Sequence, residues 1–445
     1  MNFDTVIHNC TIITVDPDFD IIKHGIICIK NGRLGQISAK THDQELPDSK
    51  KVIDAKGGIV MPGLINTHTH LPMTLFRGLA DDLPLNTWLN EHIFPAEKEN
   101  INSESVRYGT LLACSEMLLS GTTTCCDGYF LEDTVAKAVN DSGMRAILGQ
   151  GVIDFPAPGV ADPSKNIKNA EEFVKKWLSI SPNIIPSIFC HSPYTCSKRT
   201  LKDAKTAADN RSILFQIHVS ETKQELNQMR SEHRMTSVEY LDSIGILDSN
   251  TLLAHCVWID DHDIEIIANQ NAKISHNPES NMKLAAGVAP IPHCLDSGIT
   301  VGLGTDGCAS NNNLDLFQEM DTTAKLHKVV SHDPTAMDAK SVIIMATIAG
   351  AKVIGLGNEI GSIEVGKQAD LIIIDTDKPH LTPLYNPVSH IVYAASGSDV
   401  RDVLVAGEFL VRNRKLLTLD LDDILENVTK ISKVINPRYG LRVMK

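Results

Sequence analysis

The residues in this sequence that are best suited to chemistry are histidines and acidic side chains that follow short apolar runs. His68 and His70 form a His-x-His pair at the end of one such run. On an extended strand, residues i and i+2 point to the same side, so these two imidazoles can bind one cation. Two ligands leave a cation undercoordinated, and His218 and Asp306, which close later runs, supply a third nitrogen and a carboxylate oxygen. The spacing therefore predicts a metal site.

The donor set of three histidines and one aspartate suits a borderline divalent metal, zinc first, with iron or manganese as alternatives. A catalytic zinc keeps a water ligand and lowers the pKa of that water to about 7. A closed zinc site that only stabilises the fold is the alternative. It is disfavoured because the ligands are far apart in the sequence and because Glu221 and His255 close neighbouring runs.

The elements that would position these residues are eight apolar runs of strand length, separated by longer stretches typical of helices. The runs are residues 58–68, 122–128, 145–153, 184–191, 213–219, 251–257, 272–277 and 300–306. Strands that alternate with helices imply a parallel sheet, and eight such units imply a (β/α)8 barrel, whose strands carry the active site at their C-terminal ends. An open doubly wound sheet is the alternative. The polar residues at the run ends favour the barrel.

The two ends of the chain have a different pattern, with short β-like runs punctuated by glycine and by Asn-Gly. TVIHNCTIITV lies near the N-terminus, and ADLIIID and DVLVAGEFLVRNRKLL lie near the C-terminus. We therefore predict a small β-sandwich domain formed by both termini, from residues 1–58 and 361–445. It flanks the predicted metal-binding barrel of residues 59–360.

Composition excludes some classes of function. The net charge of −14 argues against a nucleic-acid surface, which needs clustered basic residues. No apolar run approaches the roughly 20 residues of a spanning helix, and the N-terminus has no basic segment followed by an apolar one. The ten cysteines are scattered, which is typical of reduced, buried thiols. We expect a cytoplasmic protein that has no membrane partner and forms a homo-oligomer.

Several motifs resemble those of the amidohydrolase superfamily, and within it those of the deaminases of 5′-methylthioadenosine and S-adenosylhomocysteine. The motifs are PGLINTHTH, HVSE, LLAHC, SHNPESNMKLA and GLGTDGCASNNNLDLFQEM, and the resemblance covers essentially the whole chain. It implies zinc-dependent hydrolytic deamination of an adenine nucleoside (5′-methylthioadenosine, adenosine or S-adenosylhomocysteine) to the inosine-type product and ammonia. The last motif is shared with aminohydrolases and chlorohydrolases of other nitrogen heterocycles, so a guanine or s-triazine substrate is the alternative.

The same resemblance implies the roles of the reactive residues. His68, His70, His218 and Asp306 match the metal ligands, and Asp306 would also accept a proton from the attacking water. Glu221 matches the glutamate that moves protons to the ring nitrogen. His255 matches the histidine that polarises the nucleophile or the tetrahedral centre.

The resemblance also implies the substrate contacts. Glu97 matches a carboxylate that grips the ribose hydroxyls, and His191 matches a substrate-binding histidine. Glu221 and Asp306 would contact the base. Gln150 stands where related deaminases carry an arginine, and an amide has no charge to pair with the carboxylate of S-adenosylhomocysteine.

Other positions near the predicted site are less specific. Two-metal relatives commonly bridge their ions with a modified lysine at the end of strand four, where this chain has His191. The resemblance therefore implies one metal ion per subunit. His276 either contacts the base or braces strand seven. Trp88 and Phe94 either form an apolar wall of the substrate pocket or pack into a loop–helix core.

Overall fold

The computed structural model describes residues 2–41, 45–83 and 87–436. The chain folds into two compact units. The first comprises Met1–Asn66, Glu116–Thr124 and Asp315–Thr418, and the second comprises Thr67–Ser115, Cys125–Leu314 and Leu419–Lys445. All the predicted site residues belong to the second unit.

The chain begins with five strands of a terminal sheet. They are β1 (Phe3–Ile13), β2 (Ile21–Lys30), β3 (Arg33–Ala39), β4 (Ser49–Asp54) and β5 (Ile59–Pro62). The pairing of Lys30 with Arg33 leaves a two-residue turn at Asn31 and Gly32, whose φ angles are 51° and 74°. Asparagine and glycine are the residues that best tolerate this backbone, so the turn follows directly from the sequence.

Eight strands then form the barrel, with each strand beside its neighbour in the sequence. They are β6 (Leu64–Thr69), β7 (Thr122–Tyr129), β8 (Arg145–Val152), β9 (Ile184–Cys190), β10 (Phe215–Val219), β11 (Thr251–His255), β12 (Lys273–His276) and β13 (Val301–Leu303). The N–H of Asp306 donates to the carbonyl of His68 at 3.0 Å, which bonds the segment after β13 to β6. The predicted (β/α)8 barrel is confirmed.

One predicted strand is divided in the structure. The run 58–68 reads as a single strand, but β5 pairs with β1 in the terminal sheet, whereas β6 belongs to the barrel. Every residue of β5 and β6 is buried, so hydrophobicity is the same on both sides of the division. The apolar pattern therefore does not show where the chain passes from the terminal sheet into the barrel.

Four C-terminal strands complete the terminal sheet. They are β14 (Leu371–Ile374), β15 (Val400–Val405), β16 (Glu408–Arg412) and β17 (Lys415–Leu416). β14 pairs antiparallel with β5, so strands from both ends of the chain share one sheet of nine strands. Its core includes the fully buried residues Ile7, Ile27 and Ile373. The predicted β structure formed by both termini is confirmed as a sheet separate from the barrel.

Sixteen α-helices are present in the described residues, and they include the helices between the barrel strands. They are α1 (Phe94–Asn100), α2 (Ser103–Leu119), α3 (Glu132–Ser142), α4 (Asn166–Trp177), α5 (Lys198–Asp209), α6 (Lys223–His233), α7 (Ser237–Ser243), α8 (Asp261–Asn269), α9 (Pro278–Lys283), α10 (Ile291–Asp296), α11 (Cys308–Asn311), α12 (Leu316–Ser331), α13 (Ala339–Ile344), α14 (Gly350–Val353), α15 (Pro387–Tyr393) and α16 (Leu421–Ile435). π-Helical segments span Trp88–Ile93 and Met345–Ala349. None of the described helices has the length and apolar character needed to cross a bilayer.

The cysteines agree with the prediction of buried, reduced thiols. All ten lie within the described residues, and each is a buried free thiol. Cys125 and Cys126 are adjacent on β7 and fully buried, so they belong to the packed interior.

Truncating the core of the terminal sheet should destabilise the protein. Ile27 on β2 is fully buried, so Ile27→Ala should lower the free energy of unfolding by about 2–5 kcal/mol. Val52 on β4 is 53% exposed, so Val52→Ala in the same sheet should change it by less than about 0.5 kcal/mol. Urea denaturation followed by circular dichroism measures both values, and equal losses would contradict the assignment of this core.

Candidate active site

Four predicted ligands meet at the C-terminal ends of barrel strands. One ligand atom from each of His68, His70, His218 and Asp306 lies within 4.8 Å of the other three. The Nε2 atoms of His68 and His218 are 3.1 Å apart, and Oδ1 of Asp306 is 3.2 Å from Nε2 of His70. Two ligands of a tetrahedral zinc with bonds of about 2.0–2.1 Å lie about 3.3 Å apart, so this spacing matches a coordination shell.

The protonation of His70 also fits a metal centre. Its Nδ1 lies 2.6 Å from the carbonyl oxygen of Gly128. A carbonyl oxygen can only accept a hydrogen bond, so Nδ1 carries a proton. In the neutral ring the lone pair is then on Nε2, which faces Asp306 and the other ligands. Such an outer hydrogen bond commonly orients a metal-binding imidazole. Lone pairs that converge in a buried space are satisfied by a cation, so the residues present fit a divalent metal.

Two serines fix the orientation of Asp306. Its Oδ2 accepts hydrogen bonds from the hydroxyls of Ser280 (2.7 Å) and Ser310 (2.8 Å), which leaves Oδ1 facing the histidines. Burial raises the pKa of this carboxyl, but its interactions with the neighbouring His68 and His70 outweigh burial and hold the pKa well below its ordinary value. The backbone of Asp306 has a φ of 61°, an uncommon conformation for aspartate and one that often marks a functional site.

A buried carboxylate braces the strand end that carries His70. Oδ1 of Asp127, at the end of β7, accepts from the hydroxyl of Thr69 (2.8 Å) and from the N–H of Leu71 (2.7 Å). These two donors lie on either side of His70 in the chain. Asp127 therefore holds the residues on both sides of His70, a predicted metal ligand, while the carbonyl of Gly128 orients the His70 ring.

Glu221 follows His218, one of the predicted metal ligands, by three residues and lies in the turn after β10. Burial raises the pKa of the Glu221 carboxyl above its ordinary value, and the nearby His255 opposes this shift. A raised pKa lies closer to neutral pH. Such a carboxyl can both donate and accept a proton during the reaction.

His255 closes β11, and its ring centroid lies 5.3 Å from that of His218 and 5.6 Å from that of His68. Its Nδ1 is 2.9 Å from Oδ1 of Asn281, on helix α9 after β12. With Nδ1 donating to that amide oxygen, Nε2 is the nitrogen left to act on a reacting group. His255 has a φ of 75°, so it shares with Asp306 a left-handed backbone at a strand end.

The other predicted substrate residues have different surroundings. His191 follows β9, its ring lies 5.2 Å from that of His218, and its Nδ1 is 3.0 Å from the hydroxyl of Thr195. Gln150 on β8 is buried, and its amide oxygen accepts from the N–H of Glu132 at 3.3 Å. His276 is fully buried at the end of β12. His191 therefore lies beside His218, one of the four predicted ligands. The Gln150 amide oxygen instead accepts a hydrogen bond from the first residue of α3.

Glu97 on α1 is 7% exposed and accepts a hydrogen bond from the hydroxyl of Tyr129. Burial raises the pKa of this carboxyl to about 7, although the Tyr129 hydrogen bond lowers it. The ring of Tyr129 lies 6.3 Å from that of His70. Tyr129 therefore lies between Glu97, to which it donates a hydrogen bond, and His70, one of the four predicted ligands.

Apolar side chains surround the tyrosine. Trp88 and Met73 are buried in one cluster with Tyr129. The ring of Phe94 lies instead 6.5 Å from that of Phe155. Of the two aromatic residues singled out from the sequence, Trp88 is the one packed in the cluster that contains Tyr129.

Several residues of the site were missed by the sequence analysis. They are Asp127, Tyr129, Ser280, Asn281 and Ser310. Asp127 closes a barrel strand, as the predicted site residues do, so the same rule would have found it. The two serines and the asparagine lie in the SHNPESN and GTDGCAS segments, but their bonding partners are set only by the fold.

Comparison with known proteins agrees with this geometry. Residues 59–410 match the model of the amidohydrolase family. The chain belongs to the amidohydrolase family. This amidohydrolase is 45% identical to a 5-methylthioadenosine/S-adenosylhomocysteine deaminase of Syntrophobacter fumaroxidans over 434 residues, which are 98% of this chain and 99% of the relative. It is also 45% identical to a 5′-deoxyadenosine deaminase of Methanosarcina mazei, over 98% of this chain and 99% of the relative.

A solved structure is similar over the same extent. A zinc-bound adenosine deaminase from Xanthomonas campestris is 33% identical, with a TM-score of 0.95, and the match covers 98% of this amidohydrolase and 99% of that chain. The relatives and the His/His/His/Asp group together identify a metal-dependent hydrolase that acts on C–N bonds. The predicted family and enzyme class are therefore confirmed.

Removing the serines that hold Asp306 should weaken metal binding. Ser280→Ala and Ser310→Ala each delete one hydrogen bond to Oδ2, and each should raise the metal dissociation constant about 10–100-fold. Titration against a metal buffer measures the constant. Ser243→Ala is the control, because that hydroxyl donates to a carbonyl of helix α7 and the constant should not change. An unchanged constant in the double variant Ser280→Ala/Ser310→Ala would refute this role.

Proposed function

We propose that this amidohydrolase is a zinc-dependent deaminase of adenine nucleosides, which converts the 6-amino group into the carbonyl of an inosine-type product and releases ammonia. The observation that carries the proposal is the convergence of Glu221 and His255 on the group formed by His68, His70, His218 and Asp306. Similarity at 45% identity to deaminases of 5′-modified adenosines supports this substrate class.

One zinc ion per subunit would be held by the three histidines and Asp306. The donor set and the zinc-bound relative favour zinc over iron or manganese. Zinc bound there would lower the pKa of a water to about 7 and so provide a nucleophile at neutral pH. The chain's own residues then manage the protons and the developing charge.

The residues act in a defined order on the base. Glu221 gives its proton to N1 of the purine, which makes C6 more electrophilic. Asp306 accepts a proton from the attacking water, and His255 stabilises the charge that develops as C6 becomes tetrahedral. Asp306 then passes the proton it accepted to the amino group, so that the C6–N bond breaks and ammonia leaves. The hydroxyl proton of the new C6–OH group returns to Glu221 as the carbonyl forms, so the water supplies the new oxygen and both protons.

Substrate contacts come from the residues around this centre. Glu97, held by Tyr129, would accept hydrogen bonds from the ribose hydroxyls. His191 would contact the substrate beside His218. Gln150 would contribute an amide near the 5′ side, and His276 either meets the base or braces β12.

The apolar and uncharged residues near the site favour uncharged 5′ substituents. Trp88 and Met73 are apolar and pack in one cluster with Tyr129, and Gln150 carries no charge to pair with an amino-acid carboxylate. We therefore rank 5′-methylthioadenosine, 5′-deoxyadenosine and adenosine above S-adenosylhomocysteine. Deamination or dechlorination of another heterocycle, guanine or an s-triazine, is the alternative, and it would leave Glu97 without a sugar to bind.

The cellular setting follows from the same features. Ten reduced thiols fit a reducing compartment, so we place the enzyme in the cytoplasm. We expect a homo-oligomer, because most soluble oligomers are symmetric assemblies of one chain.

Ammonia release from a substrate panel tests the proposed reaction. Adenosine, 5′-methylthioadenosine and 5′-deoxyadenosine should be deaminated faster than S-adenosylhomocysteine, guanine or an s-triazine. Glu221→Gln should retain its metal by elemental analysis but lose about 10²–10⁴ in kcat, because an amide cannot shuttle the proton. Faster turnover of guanine or a triazine, or normal turnover by Glu221→Gln, would reject the proposal.

Truncating Glu97 should separate the effect on sugar from the effect on base. Glu97→Ala should raise KM at least about tenfold for adenosine, since the ribose loses a charged acceptor, and should change KM little for free adenine. Steady-state kinetics with the two substrates measure the ratio. Glu99→Ala is the control, because Glu99 is an exposed acidic residue on the same helix. Equal effects on nucleoside and base would discard the ribose contact.

A further inference from the structure

Two Thr-x-x-Glu segments occur 14 residues apart, and each begins a helix after β10. Thr222 to Glu225 begins α6, and Thr236 to Glu239 begins α7. Thr-x-x-Glu is the sequence signature of a capping box, in which the threonine hydroxyl and the glutamate satisfy N–H groups of the first helical turn. The sequence therefore predicts the same local role for both glutamates.

Glu239 has that role. Its Oε2 accepts from the N–H of Thr236 at 2.7 Å, and its own N–H donates to the Thr236 hydroxyl at 3.0 Å. The Glu239 side chain is 34% exposed. These bonds stabilise the start of α7.

Glu225 has a different role. Its N–H donates to the Thr222 hydroxyl at 3.1 Å, as in a capping box, but its carboxylate extends past the cap. Oε1 accepts from the N–H of Ser220 at 2.7 Å, and Oε2 accepts from the N–H of Glu221 at 3.0 Å. The carboxylate thus binds the backbone of the two residues that precede the cap, one of which is the proposed proton shuttle.

The carboxylate is itself held in place by the neighbouring helix. Ser237, in the first turn of α7, donates its hydroxyl to Oε1 of Glu225 at 2.5 Å. Glu225 is 4% exposed, and burial raises its pKa to about 7 against the lowering effect of these hydrogen bonds. A buried carboxylate with a donor on each side has little freedom to move, so it fixes whatever it binds.

The backbone of Ser220 connects this clamp to the next strand end. The carbonyl of Ser220 accepts from the N–H groups of Val257 (3.0 Å) and Trp258 (2.8 Å), which follow His255. Ser220 has a φ of 51°, an uncommon conformation for serine that the bonds on both sides of the peptide maintain. Glu225 therefore binds the N–H groups of Ser220 and Glu221, and the loop after β11 binds the carbonyl of Ser220. Together they fix the turn that carries Glu221.

We propose that Glu225 is a positioning residue for catalysis, which clamps the Ser220–Glu221 backbone so that the Glu221 carboxyl stays at the ring nitrogen of the substrate. This inference rests on the proposed function of Glu221. Glu225 does not touch substrate, and it acts only through the placement of Glu221. Misplacement of a reacting group by about 1 Å can cost about 100-fold in rate, so loss of the clamp affects kcat more than KM.

The variant Glu225→Gln tests the clamp with little change of shape. The amide oxygen of Gln can accept from the N–H of either Ser220 or Glu221. The NH₂ group would then face the other N–H, and two donors cannot form a hydrogen bond with each other. We expect kcat to fall about 10–100-fold with KM changed less than about threefold and with full metal content by elemental analysis. Glu239→Gln is the matched control from the second Thr-x-x-Glu segment, and its kcat should stay within about twofold of the wild type.

A double variant separates positioning from general destabilisation. In a Glu221→Gln background there is no proton shuttle left to position, so adding Glu225→Gln should lower the residual kcat less than about twofold. A multiplicative loss in the double variant would overturn the proposal. So would an unchanged kcat in Glu225→Gln, or a fall in kcat that matches a loss of metal.

A milder variant keeps the test decisive if Glu225→Gln folds poorly. Ser237→Ala removes only the hydroxyl that anchors Glu225, and kcat should fall in the same direction by a smaller factor; an unchanged kcat would count against the clamp. If the panel identifies another heterocycle as the substrate, the proposed nucleoside reaction fails, but the same variants assayed on that heterocycle still decide whether Glu225 positions Glu221.

Discussion

The mutual repulsion of lone pairs in a buried space is the constraint on which the site depends. Nε2 of His70 and Oδ1 of Asp306 face each other at 3.2 Å, and the Nε2 atoms of His68 and His218 are 3.1 Å apart. Such an arrangement is costly without a positive charge at its centre and favourable with one. The hydrogen bond from His70 to the Gly128 carbonyl orients the ring so that Nε2 faces the centre of this group.

The barrel meets this constraint with hydrogen bonds from outside the ligand group. Ser280 and Ser310 hold the far oxygen of Asp306, Asp127 holds the backbone around His70, and Glu225 holds the turn after His218. Each of these groups is buried and acts on a ligand-bearing or acid-bearing segment. The strand ends of a barrel allow this because each is followed by a loop that can supply a donor or an acceptor.

Left-handed backbone at non-glycine residues occurs at three positions of the site, as it does at turns elsewhere in the chain. Asp306, His255 and Ser220 all have φ between 51° and 75°, and each lies where a strand turns outward. This conformation costs energy for residues with a side chain, so it persists only where surrounding hydrogen bonds enforce it.

Local patterns in the sequence were sufficient to predict the barrel, the sheet formed by both ends of the chain and the convergence of His68, His70, His218 and Asp306. Period, run length and strand-end position are properties that each segment carries. They did not locate the division between β5 and β6, since both strands are equally apolar. They also could not separate Glu225 from Glu239, because both follow the same Thr-x-x-Glu pattern. Only the three-dimensional fold decides these points. The sheet that a strand joins, and the N–H groups that a carboxylate can reach, depend on segments that are distant in the sequence.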